Sequence, residues 1–170
     1  MANPGKNFED DVIRSVAENK QLSLYRLYDT TGGRAGVKNI SDFIAYKYPH
    51  EYYLELKSTK ENRLNFKAIT DKQYNGLLEK SKIKGIYAGI IINYREIEKT
   101  YFVEINTIRN MREMGGKSIS SEYASKVGVE MRGIKRVTRF RYDLEELLTN
   151  IPKEVGRPWE QEQKKESYAQ

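Results

Sequence analysis

The 170-residue chain has no cysteine, a single histidine and four prolines. Without cysteine there is no disulfide, no thiolate zinc site and no thiol nucleophile. His50 alone excludes a multi-histidine metal centre. Any metal would be held by carboxylates, backbone oxygens and water, which selects a hard cation such as Mg²⁺. No apolar run approaches the ~18 residues that mark a membrane span. The opening Met1-Ala2-Asn3-Pro4-Gly5-Lys6 lacks the apolar stretch of a secretory signal. The expectation is a soluble, cytoplasmic protein with no membrane partner.

Charge is what the chain has in quantity. Thirty Lys and Arg stand against 24 Asp and Glu, for a net charge of +6. Such an excess favours a polyanionic partner, nucleic acid foremost. A basic enzyme without such a partner shows the same balance. The length suits one domain of the usual ~100–200 residues, enough to bury a core without staples.

The periodicities predict a mixed α/β domain. Asn3 and Pro4 form a helix start, with Phe8, Val12, Ile13 and Val16 as the buried stripe. Glu9, Asp10 and Asp11 lie near its positive end. Strands are expected over 22–28, 41–48 and 51–58, the last two separated by a turn at Pro49-His50. Thr70-Asp71-Lys72-Gln73 has the form of a capping box and opens a helix to about Ser81. The apolar run 86–93 reads as the central strand, followed by a strand at 101–104 and a helix at 106–114. Residues 117–133 read as a polar loop with one helical turn at 122–126. Residues 135–142 read as a surface strand and 143–148 as a short helix. The fold class is α/β, a mixed central β-sheet flanked by α-helices. Residues 1–152 would form the domain, and 153–170 a charged, mobile tail with Trp159 as its one anchor.

Strand alternation places the chemistry. On the strand 51–58, Tyr53, Glu55 and Lys57 share one face, and Tyr52, Leu54 and Leu56 the other. A charged pair on an interior strand needs a partner or a metal, because unpaired burial is costly. Asp42 begins the preceding strand and can converge with Glu55. Two carboxylates, phosphate oxygens and water are a donor set that Mg²⁺ prefers. The metal would polarise a phosphate and acidify a water, and Lys57 would stabilise the developing charge.

Asp42, twelve residues and then Glu55-Leu56-Lys57 resemble the PD-(D/E)XK nuclease signature, with Ser41 in place of the usual proline. Two more segments narrow the likeness. Asn3-Pro4-Gly5-Lys6-Asn7-Phe8-Glu9 resembles the opening helix of RecU-like Holliday junction resolvases. Leu64-Asn65-Phe66-Lys67 with Gln73 resembles the segment after that family's catalytic strand. The resemblance covers about residues 3–105. It implies a restriction-endonuclease-like fold and an Mg²⁺-dependent endonuclease, with Mn²⁺ able to substitute. The enzyme would act as a homodimer on branched, four-way DNA and leave 5′-phosphate ends. It implies that Asp42 and Glu55 ligate metal and that Lys57 assists the attacking water. Glu9 becomes an accessory carboxylate, and Gln73 holds a water or a DNA phosphate. Each of these two has a plainer alternative: helix-dipole placement for Glu9, the capping box for Gln73. The segment 30–39 stands where the family carries a stalk and is much shorter, which suits a compact phage-type member. The competing functions are another nuclease of the superfamily, acting on duplex or single strands, and a non-catalytic nucleic-acid-binding module.

The remaining basic residues are candidate phosphate contacts. Arg34 and Lys38 sit in the glycine-rich segment 30–39, where backbone N–H groups can approach an anion. Lys60, Arg63 and Lys67 follow the catalytic strand. Lys135, Arg136, Arg139 and Arg141 alternate with apolar residues, as a DNA-facing strand or as an edge strand protected by charge.

Overall fold

Asn3 starts the first helix as its side chain equips it to, accepting from the N–H groups of Gly5 and Lys6 while Pro4 takes the first helical position. The computed structural model describes residues 3–17, 21–28 and 39–160. Helix α1 (Pro4–Val16) is followed by β1 (Ser23–Arg26), β2 (Phe43–Lys47), β3 (His50–Thr59) and β4 (Arg63–Asn65). Next come α2 (Asp71–Ser81), β5 (Ile86–Tyr94), β6 (Lys99–Glu104), α3 (Ile105–Glu113), β7 (Ser118–Ser120) and α4 (Ser121–Val127). The chain continues through β8 (Val129–Glu130), β9 (Gly133–Lys135), β10 (Phe140–Tyr142) and α5 (Leu144–Val155).

Six strands form a sheet in the order β1-β2-β3-β5-β6-β8. Within it β3 and β5 run parallel, and every other neighbouring pair is antiparallel. A parallel pair needs a crossover, and α2 supplies it. The alternation on β3 divides the core. Tyr52, Leu54 and Leu56 pack with Phe8 and Val12 of α1 and with Leu147, Leu148 and Ile151 of α5. Tyr53 faces the other layer, with Leu77 of α2, Ile105 and Ile108 of α3, and Ala124 of α4. Gly89 of β5 is forced by this packing: a Cβ there would lie 2.4 Å from the Val103 carbonyl oxygen.

Four expectations need correction. Residues 117–133 are structured: β7 pairs with β4, α4 follows, and β8 closes the sheet edge, with Ile119, Ala124 and Val129 buried. The segment 135–142 is a hairpin turn and not one strand, since Arg136 N–H bonds the Arg139 carbonyl (2.7 Å) between β9 and β10. The last helix runs on to Val155, through Pro152, and Trp159 is buried beyond it. The packed chain thus continues past residue 152 as far as the described residues reach. His50, expected in an exposed turn, opens β3 with its ring edge-on to Tyr87 at 5.1 Å. No helix among the described residues is long and apolar enough to cross a membrane.

Candidate active site

Asp42 sits just ahead of β2, where the backbone is used on both sides. Its N–H bonds the Leu54 carbonyl (3.1 Å), and its carbonyl accepts from Leu27 N–H (2.8 Å). The strand pairing ends there, which leaves the Leu56 N–H without a ladder partner. The Asp42 carboxylate takes it, at 2.7 Å. The bond pins the carboxylate beside the stretch of β3 that carries Glu55 and Lys57.

Glu55 is only 2% exposed. One oxygen, Oε1, accepts from Lys57 Nζ (2.7 Å) and from Gln73 Nε2 (2.5 Å). The other, Oε2, is buried with no hydrogen-bond partner among the described residues. Gln73 forms the expected capping box, its Oε1 accepting from the Thr70 N–H (3.0 Å), and its amide nitrogen reaches the Glu55 carboxylate. The cap therefore orients a site residue.

The electrostatics follow from crowding acids in a poorly solvated corner. Burial pushes the Glu55 carboxyl up to about 8; the Asp42 charge adds to this and Lys57 opposes it. Burial also raises Asp42, against the Leu56 N–H and the Lys57 charge. Glu9 is raised first by burial and then by the charge of Asp42, with Arg26 opposing. Asp42 thus acts on both Glu55 and Glu9, and a cation beside it would relieve the crowding.

Glu9 reaches this corner by a route different from the one expected. It lies in the second turn of α1, and no acidic residue occupies the first turn, so helix-dipole placement does not account for it. Arg26, at the end of β1, instead pairs with Glu9 and lies 3.5 Å from Asp10. Arg26 also acts on Asp42. It is a member of the site that the sequence does not reveal, because a lone arginine at a strand end makes no motif. Its only signal is the acidic pair at Glu9 and Asp10, which needs a counter-charge.

The donor set fits a hard divalent cation. Glu55 Oε2 is an orphaned buried acceptor beside a second carboxylate. No three or more acidic or histidine side chains among the described residues converge as a ready metal site. A cation would therefore take Asp42 and Glu55, and fill its remaining positions with water and substrate oxygens.

The predicted basic residues separate into groups. Lys60, Arg63 and Lys67 are exposed, in the bend after β3, on β4 and in the turn that follows it. In the hairpin, Arg136 and Arg141 are exposed, whereas Lys135 pairs with Glu98. Arg139 turns inward, to the Asp11 carboxylate and the Asn7 carbonyl, both at 3.2 Å. Its expected exposure on a DNA-facing strand gives way to an anchoring role, because Asp11 is buried on α1 and needs a partner. Arg34 and Lys38, with the stalk-like segment, lie outside the described residues.

Similarity to known proteins agrees with this geometry. Residues 33–142 match the family described as RecU, Recombination protein U. The SPbeta prophage-derived uncharacterized protein YotM of Bacillus subtilis (strain 168) is 30% identical over 172 residues, spanning 89% of this chain and 88% of that protein. Among solved structures, Hjc of Archaeoglobus fulgidus, a Holliday junction resolvase from an archaeal hyperthermophile, superposes with a TM-score of 0.53 at 17% identity. That superposition covers 74% of this chain and 95% of Hjc. It shows a shared fold, the restriction-endonuclease-like mixed sheet between helical layers. The span 33–142 includes Asp42, Glu55, Lys57 and Gln73, and with it the chain belongs to the Recombination protein U family.

Proposed function

We propose that the chain is an Mg²⁺-dependent, structure-selective DNA endonuclease that resolves four-way junctions by phosphodiester hydrolysis. The observation that carries this reading is the convergence of Asp42, Glu55, Lys57 and Gln73 around a buried carboxylate with one oxygen left over. Family membership supports it, as does the fold shared with a resolvase. Asp42 and Glu55 would hold the cation. When bound, the cation would supply charge neutralisation at the phosphate and acidify a water.

The chain's own groups do the rest. Lys57 Nζ, 2.7 Å from Glu55, is placed to orient the attacking water and to stabilise charge on the phosphoryl oxygens. Gln73 holds Glu55 in position through its cap. Arg26 pairs with Glu9 near Asp42 and opposes the rise that burial gives its carboxyl. Because resolution needs two symmetric nicks, the working enzyme is a C₂ homodimer.

A labelled four-way junction and a matched linear duplex, each with Mg²⁺ or EDTA, test the proposal. Paired, Mg²⁺-dependent nicks in the junction alone are expected. Glu55→Gln should lower nicking by ~10²–10³-fold, as the loss of one aligned electrostatic group does, and leave junction binding intact. Equal cutting of duplex would keep a nuclease and remove the junction preference. Binding without cutting, in Mg²⁺ and in Mn²⁺, would leave a non-catalytic module.

A further inference from the structure

We propose that the cleft between the first turn of α2 and the end of α3 binds a phosphate group of the DNA strand next to the one that would be cut at the Asp42–Glu55 corner. The proposal rests on the nuclease reading for its direction, though not for its chemistry. The cleft measures about 720 Å³, and its lining includes Phe66, Lys67, Asp71, Arg112 and Lys117.

Arg112 is the centre of the argument. Its Nη2 donates to the Phe66 carbonyl at 2.9 Å. Its guanidinium carbon lies 4.1 Å from the centre of the Tyr74 ring and 5.5 Å from that of Phe66. A guanidinium braced in this way loses little freedom when it binds. Its Nε is buried with no hydrogen-bond partner among the described residues. The group is therefore a positive charge fixed at the cleft wall, which suits an oxyanion.

The surrounding chain is built to the same end. Phe66 N–H bonds the Lys117 carbonyl (2.9 Å), and Gly116 N–H bonds the Met111 carbonyl (2.8 Å). A Cβ on Gly116 would sit 2.8 Å from that same oxygen, so the turn that delivers Lys117 needs glycine. Lys67 and Lys117 are exposed at the rim, opposed by one exposed acid, Asp71. Three cations against one carboxylate leave the lining positive.

Position selects the ligand. Thr70 and Asp71 line the cleft, while Gln73 of the same turn touches Glu55. Cleft and candidate site thus meet at one turn of α2, and a strand with its scissile phosphate at the Asp42–Glu55 corner would run on past the cleft.

The test is fluorescence anisotropy of a labelled four-way junction in EDTA, titrated at several KCl concentrations. Lys117→Glu and Arg112→Gln should each weaken binding about tenfold and reduce the slope of log K against log salt by ~0.9, the value for one lost phosphate contact. Lys153→Glu, on the far side of the sheet, carries the same charge change and should have little effect. Unchanged affinity and slope in Lys117→Glu, with wild-type circular dichroism, would overturn the proposal. An equal loss in Lys153→Glu would also overturn it. If Arg112→Gln fails to fold, Lys67→Glu takes its place beside Lys117→Glu. Should the wild-type protein bind but not cut, the salt-slope loss would still support the cleft while the nuclease reading fell. Cutting by a wild-type protein whose slope is insensitive to these variants would do the reverse.

Discussion

Asp42 has two duties that substitution can separate. Its carboxylate is a candidate metal ligand and also the acceptor for an otherwise unpaired Leu56 N–H. Asp42→Ala orphans that donor and should cost ~1–3 kcal/mol of folding free energy in urea denaturation. Asp42→Asn keeps a neutral acceptor and should retain most of the stability while losing nicking. Equal stability of the two variants would show that the bond to Leu56 is unimportant. At this scale the sequence is partly legible. Glu55 and Lys57 are visible because period-two alternation puts them on the face opposite Leu54 and Leu56. Gln73 is visible through its cap, though only the fold shows that one amide serves both Thr70 and Glu55. Arg26 carries no local signal, since its partners lie 16 and 17 residues away.

Among the elements, the hairpin of β9 and β10 is tied to α1 in part by one buried acid, beside the bond from the Tyr142 N–H to Ser15 Oγ (2.9 Å). Asp11 accepts from Arg139 Nη1 and from the Phe140 N–H, at 3.2 and 3.3 Å. Asp11→Ala should loosen the hairpin from α1. Hydrogen exchange at residues 133–142 should then accelerate while exchange in β3 and β5 stays slow. Uniform acceleration would mean that the hairpin and the sheet open together.

Helix α3 supplies a pH-dependent counterpart. Its N-cap, Glu104, accepts from Asn106 N–H (2.7 Å) and Nδ2 (2.9 Å). Burial pushes its carboxyl up to about 7 from the ordinary 4.5. Because the folded value is the higher one, the stability contributed by protonated Glu104 is complete below pH 4.5 and is lost as pH rises through 7. Glu104→Gln should make the fall of the urea midpoint across that window shallower, leaving the part that Glu55, raised to about 8, contributes. An unchanged profile would assign the dependence elsewhere. Sequence reading fares unevenly with elements. The long periodic runs of α1, α2 and β5 are legible. The segment 117–133 is not, because its strands are two or three residues long and each buries only one or two apolar side chains. Such elements exist through tertiary contact and not through propensity.

The whole molecule is held together across its sequence. Tyr52 donates to the Leu148 carbonyl (2.8 Å) and Tyr87 to that of Gly156 (2.9 Å), while Trp159 packs edge-on to Tyr87 at 5.4 Å. The charged composition after Pro152 hides this, since one tryptophan carries the packing. Trp159→Ala should cost ~3–5 kcal/mol, the usual loss for a buried tryptophan, as read by thermal or urea unfolding. A cost near zero would return residues 153–160 to the status of a tail.

The candidate site draws its groups from the first 73 residues, yet one wall of the sheet beneath it comes from residues 144–160. On the ribosome, a nascent chain therefore displays Asp42 and Glu55 well before the surface that holds β3 rigid has been made. Until the last turn of α5 and Trp159 emerge from the exit tunnel, α1 alone covers that apolar face and leaves part of it open. A site assembled in that order stays loose until residues 144–160 have been made and then tightens.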